Sequence, residues 1–214
     1  MGLEPVVEPV LQVRPVKGAA IDLAGADALA FTSQAAVVAF AALSPERGLR
    51  VFAVGAATAA AARDFGFSQI EPLPDRGDVQ GLAALIAETG AKPRLVVNPT
   101  ARQPAANLAA LLAARRIATR SVAVYETVRT GLAAAPADIA GVVIHSARAG
   151  EAVAKLVPPG EAPGLVAYAI SEVAAAALRQ RGFGRILIAE TPDEASLLQR
   201  IAIDQNRPRT HEGP

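Results

Sequence analysis

With 214 residues, 21 basic against 20 acidic side chains and a net charge of +1, the chain suits one large domain or two small ones. It offers no basic stripe for nucleic acid. Hydrophobic residues at 52% against 19% charged exclude a chain disordered throughout, and the lack of cysteine excludes disulfides, thiolate nucleophiles and zinc–thiolate sites. The opening Met1-Gly2-Leu3-Glu4-Pro5 has no basic segment before an apolar core, so it is not read as a signal peptide. The longest apolar-looking stretch, around 24–43, carries Asp27, Thr32, Ser33 and Gln34, which does not fit a membrane span. A cytoplasmic protein with no membrane or nucleic-acid partner is expected.

In chain order, Pro5, Pro9 and Pro15 mark 6–16 as an extended connector. Residues 27–31 predict a buried strand ending at Thr32-Ser33-Gln34, followed by a helix over 35–43 with Ser33 or Thr32 as its N-cap. A strand over 49–54 runs into Gly55, a helix over 56–64 and Gly66, which suits a left-handed cap. A short strand begins at Ser68-Gln69-Ile70, a loop covers 75–78 and a helix covers 79–88. The strand 94–97 is expected to stop at Asn98-Pro99, before an amphipathic helix over 104–116 and a second connector near 121–130. Strands at 139–144, 165–170 and 185–189 then alternate with helices at 148–156, 172–181 and 193–203, the last with Thr191 as a cap. The tail from Asn206 is read as frayed.

The chain repeats itself. Val51 to Phe67 is echoed by Leu165 to Phe183, with Gly55 answering to Ser171 and Gly66-Phe67 to Gly182-Phe183 at one common offset. Phe31-Thr32-Ser33-Gln34 is echoed by Ile144-His145-Ser146-Ala147 at nearly the same offset. The expected fold class is therefore α/β, with two similar parallel-sheet lobes, an antiparallel two-stranded connector and a cleft between the lobes. One lobe takes 17–128; the other is discontinuous, from 1–16 and 129–214. The segment 2–13 resembles 117–128 as a connector strand, so a strand and helix on the order of 20–25 residues long would be expected before it.

Ligands of parallel sheets bind beyond the carboxyl ends of the strands. Thr32, Ser33, Gly55, Thr58, Asn98, His145, Ser146 and Ser171 all follow strand ends in this reading. Each could simply cap the next helix; as a set they suit an anionic ligand held by hydroxyls and backbone N–H groups. His145 can be a structural group or, when protonated, a partner for a carboxylate, with Arg148 beside it.

Over nearly its whole length the chain resembles the uroporphyrinogen-III synthase family. The resemblance rests on Phe31-Thr32-Ser33-Gln34-Ala35-Ala36-Val37, on Ala53-Val54-Gly55-Ala56-Ala57-Thr58-Ala59 with Gly66, and on Val124-Tyr125-Glu126-Thr127. Members usually open with a strand ending in Thr-Arg-Pro and a helix, and no counterpart is read in this sequence before the first connector. The resemblance implies closure of linear hydroxymethylbilane, with loss of water and inversion of the last pyrrole ring, and no cofactor or metal. It implies a small-molecule linear tetrapyrrole as partner, and a monomer unless a partner chain supplies the lacking segment. It places Tyr125 at the departing hydroxyl; the residue alone reads equally well as a packed ladder aromatic. It matches Thr32, Ser33, Thr58 and Ser146 to hydroxyls of the family's site. The chain departs from the family pattern at Ser171, Val173 and Ala174, and at Ala101 and Ala105. A non-enzymatic two-lobed binder of an anionic small molecule, or an inactive truncated synthase, would share the same strand-end residues.

Overall fold

The computed structural model describes residues 4–72, 77–132, 135–136 and 138–206. The chain divides into two compact units, one formed by 13–127 and the other by the segments on either side of it. Among the described residues, a mainly parallel sheet, a second parallel sheet and their covering helices make up a mixed α/β fold.

The continuous unit holds the larger part of β1 (Leu11–Pro15), then β2 (Ala28–Phe31), α1 (Gln34–Leu43), β3 (Arg50–Ala53), α2 (Ala56–Asp64) and β4 (Ile70–Pro72). These are followed by α3 (Val79–Glu88), β5 (Leu95–Ala101), α4 (Leu108–Ala113) and all but the last two residues of β6 (Ala118–Arg129). The sheet order is β1-β6-β5-β2-β3-β4, and β2 to β6 are parallel. Along β1, Val16 donates to Val124 and Val10 accepts from Thr130, so partner numbers fall as the chain rises, which is antiparallel pairing.

Side chains alternate across a strand, and the core follows. Ala28 and Ala30 join Leu82, Ile86, Leu108 and Leu112 on the face covered by α3 and α4. Leu29 and Phe31 face the other way, with Val37, Phe40, Ala62 and Phe67 under α1 and α2. The rings of Phe31, Phe40 and Phe67 meet at centroid distances of 5.6–5.9 Å, the first two edge to face.

The split unit holds β7 (Gly141–Ile144), α5 (Ala147–Leu156), β8 (Val166–Ala169), α6 (Glu172–Arg181), β9 (Arg185–Ile188) and α7 (Glu194–Gln205). Among the described residues its sheet has three parallel strands, in the order β7-β8-β9. Ile144, Ala167 and Ala169 pack under α5 and α6, and Tyr168 packs with Leu197 of α7 on the opposite face. The Tyr168 hydroxyl donates to Asp204 at 2.7 Å and accepts from Gln205 at 3.0 Å, while Asp204 pairs with Arg185. Burial first, and then the Asp204 carboxylate, push the Tyr168 phenol above its usual pKa.

The echo between Val51–Phe67 and Leu165–Phe183 is an echo of geometry. Val54 donates to Phe31 at 3.0 Å, and Ile170 donates to Ile144 at 2.9 Å. Gly66 at φ 89° and Gly182 at φ 92° end their helices in the left-handed region, where a Cβ is disfavoured. In both turns the next residue donates back into the helix: Phe67 to Ala62 at 3.1 Å and Phe183 to Leu178 at 3.2 Å.

Several elements differ from the sequence expectation. β5 does not stop at Asn98-Pro99 but runs to Ala101. Pro99 lies past Val97, the last partner of β2, so its missing N–H takes nothing from that ladder, and pairing with β6 continues. α4 covers only Leu108–Ala113 of the helix expected over 104–116, because Asn107 caps it by accepting from Ala110. Asp193 rather than Thr191 caps α7; Thr191 instead donates to the Asp193 carboxylate at 2.6 Å. β1 forms only the last part of the first expected connector, while β6 extends the second at its start. Residues 75–76 of the expected loop at 75–78, and the tail beyond Asn206, lie outside the described residues, while Asp78 caps α3 by accepting from Gly81.

Candidate functional site

In the continuous unit the ends of β2, β3 and β5 and the middle of β6 share one edge of the sheet. Residue by residue, β5 pairs with β6 from Leu95↔Ala118 to Ala101↔Tyr125, with a register shift between Thr100 and Ala101. Tyr125 therefore stands level with the end of β5. Its carbonyl accepts the Arg102 N–H at 2.8 Å, and Arg102 also pairs with Glu126 at 3.0 Å, which fixes the main chain around it.

Ser33 caps α1: its Oγ accepts the Ala36 N–H at 3.1 Å. The same Oγ lies 3.0 Å from the hydroxyl of Tyr125, 92 residues away. The phenol of β6 thus reaches the N-terminus of the helix that follows β2. Beside it, the corner after β3 turns at Gly55 with φ 83°, and α2 begins with no side-chain cap. Its first-turn N–H groups are left for another acceptor. Neither α1 nor α2 has an acidic residue in its first turn, so the positive ends of both helices remain uncompensated from within. Thr58 is buried in the first turn of α2, and Thr32 is half-buried at the end of β2.

Asn98 takes a different place from the strand-end position expected for it. It is buried at 3% exposure, and its amide donates to the Ala30 carbonyl at 2.8 Å. It holds β5 to β2 just beyond the last paired residues, Leu29 and Val97.

In the split unit, Ser146 and Ser171 cap α5 and α6, accepting from Ala149 at 3.2 Å and from Ala174 at 3.3 Å. His145, at the end of β7, meets the Glu194 carboxylate at 2.7 Å, with both side chains at least half exposed. Glu194 carries no signal in the sequence beyond that of an acidic residue in a helix's first turn; its partnership with His145 depends on the order of the strands. Among the described residues no cluster of His, Asp or Glu could hold a metal ion, and no helix is long and apolar enough to cross a membrane.

Together these features define a class: parallel α/β units whose strand ends carry hydroxyl caps and, at α2, a helix N-terminus with no side-chain cap, chemistry that suits an anionic small molecule. The family described as "Uroporphyrinogen-III synthase HemD" matches residues 1–199, and the chain belongs to the uroporphyrinogen-III synthase family, lyase-type cyclases of tetrapyrrole biosynthesis. The fold is similar to that of the crystal structure of uroporphyrinogen-III synthetase from Helicobacter pylori 26695. That likeness has a TM-score of 0.71 at 18% identity, over 92% of this chain and 91% of that one. A mutant uroporphyrinogen III synthase from the extremely thermophilic bacterium Thermus thermophilus is similar with a TM-score of 0.56 at 18% identity, over 96% of this chain and 91% of that one. No curated protein sequence matches the chain significantly.

Proposed function

We propose that the family's reaction, cyclisation of hydroxymethylbilane to uroporphyrinogen III with inversion of the last ring and loss of water, is centred in this chain on Tyr125. The observation that carries this reading is the 3.0 Å contact between the Tyr125 hydroxyl and Ser33 at the start of α1. It sets a proton donor beside two positive helix ends that have no acidic residue in their first turns. The substrate is rich in carboxylates, and those ends suit carboxylates. Tyr125 donates its proton to the departing hydroxyl. Thr32, Thr58 and the first-turn N–H groups at Gly55 hold carboxylates of the same molecule.

In the split unit, His145, Ser146 and Ser171 are carboxylate-binding groups of the same kind, and the two units are the family's two lobes with β1 and β6 as the connector. Asn98 serves the site from behind, by holding β5 against β2. No cofactor enters this scheme. The work is to fold the chain of pyrroles so that the inverted closure is faster than the simple one, which is catalysis by positioning.

Thr58→Val keeps the shape of the side chain and removes its hydroxyl. The variant is expected to keep its thermal midpoint and to release a larger share of the non-inverted isomer I than the parent, read by separating the product isomers. Equal isomer composition in parent and variant would remove Thr58 from the site.

A further inference from the structure

Ser33 has more to do than cap a helix. A serine hydroxyl has one proton to give and two lone pairs to offer. One lone pair already takes the Ala36 N–H. The contact with Tyr125 can then run in either direction. If Tyr125 donates to Ser33, the phenolic proton is consumed inside the protein. If Ser33 donates to Tyr125, that proton is free for the substrate.

We propose that Ser33 is a positioning residue for Tyr125: its hydroxyl donates to Tyr125 Oη and so directs the phenolic O–H outward to the departing hydroxyl. The proposal rests on the reading of Tyr125 given above and adds a residue that acts through it.

The chemistry favours that direction. As the carbon–oxygen bond of the hydroxymethyl group breaks, its electron pair leaves with the oxygen. The oxygen takes the Tyr125 proton and departs as water. Negative charge then builds on Tyr125 Oη, where the Ser33 O–H already points. The proton returns to Oη when the pyrrole carbon that closes the ring gives up its own, so the phenol is regenerated and the only by-product is water. Hydrogen bonds to charged oxygen are shorter and stronger than neutral ones. The Ser33–Tyr125 bond therefore strengthens on the way to the transition state, which is the condition for raising kcat rather than binding alone. The Ala36 N–H bonded to Ser33 Oγ polarises the serine hydroxyl further, because chained hydrogen bonds reinforce one another.

Three substitutions separate the cap from the donor. Ser33→Asp keeps a good N-cap but offers only acceptors at neutral pH, so it draws the phenolic proton inward. It is expected to retain the parent's thermal midpoint and lose about 10- to 100-fold in kcat at saturating hydroxymethylbilane, up to the lower end of the roughly 100- to 10,000-fold that a positioned general acid supplies, because the phenol itself is kept. Ser33→Thr keeps cap and donor and recovers most of that rate. Ser33→Ala loses both, with a lower midpoint and a kcat like that of Ser33→Asp.

The double variant Ser33→Asp/Tyr125→Phe is expected to be no slower than Tyr125→Phe alone, because the serine acts only through the phenol. A Ser33→Asp protein at the parental kcat, or a double variant slower by the product of the two single effects, overturns the positioning role while leaving Tyr125 in place. A Tyr125→Phe protein at the parental rate overturns both readings at once.

Discussion

Tyr125→Phe is expected to lower kcat about 100-fold, the lower range for loss of a general acid, with little change in KM. The argument is geometric. The ring of Tyr125 packs on the cluster that contains Leu29, Phe31 and Val97, and phenylalanine keeps that packing. Only the hydroxyl goes. Ser33 retains its bond to the Ala36 N–H, so α1 stays capped. The lost bond to Ser33 is worth about 1 kcal/mol in stability, as for an ordinary hydrogen bond. A large fall in kcat with a thermal midpoint close to the parent's therefore reports chemistry and not unfolding. Steady-state rates at saturating substrate decide it, and a parental kcat would make Tyr125 a packing residue of β6.

Phe31→Ala is the second large effect. Phe31 is fully buried as the last residue of β2, with ring centroids 5.6 Å from Phe40 and 5.8 Å from Phe67. Phe67 is also covered by the Arg47 guanidinium at 4.9 Å. Removing the Phe31 ring leaves a cavity in the middle of this cluster and costs about 3–5 kcal/mol. That is a large share of the roughly 5–15 kcal/mol that holds a domain folded. Thr32 and Ser33 follow directly, so the variant is expected to lose activity together with stability, read as a lower denaturant midpoint in parallel with a lower rate. A midpoint within about 1 kcal/mol of the parent would mean that the three rings are not the core of this unit.

Local patterns in the chain are legible without the structure. An apolar run, a glycine, an alanine-rich helix and a second glycine specify β3, Gly55, α2 and Gly66 because each residue's own backbone preference points the same way. The same holds for the caps at Ser33, Ser146 and Ser171. What the sequence does not show is set by pairing between distant strands. Pro99 argues locally against a strand, and only the extent of the β2 and β6 ladders makes room for it in β5. Asn98 looks like a strand-end ligand group, yet its amide is taken by Ala30, 68 residues earlier.

The contact between Ser33 and Tyr125 lies in the same class. Ser33 follows β2 and Tyr125 stands on β6, with β5 between those strands, so their meeting follows from the sheet order and not from any spacing in the chain. The partnership of His145 with Glu194 likewise depends on strands β7 to β9 being laid side by side.

The most direct measurement is the isomer composition and rate of cyclisation when the purified chain is given freshly made hydroxymethylbilane. The expected result is uroporphyrinogen III as the main product, formed faster than the spontaneous closure. Isomer I alone, at the uncatalysed rate, would contradict it.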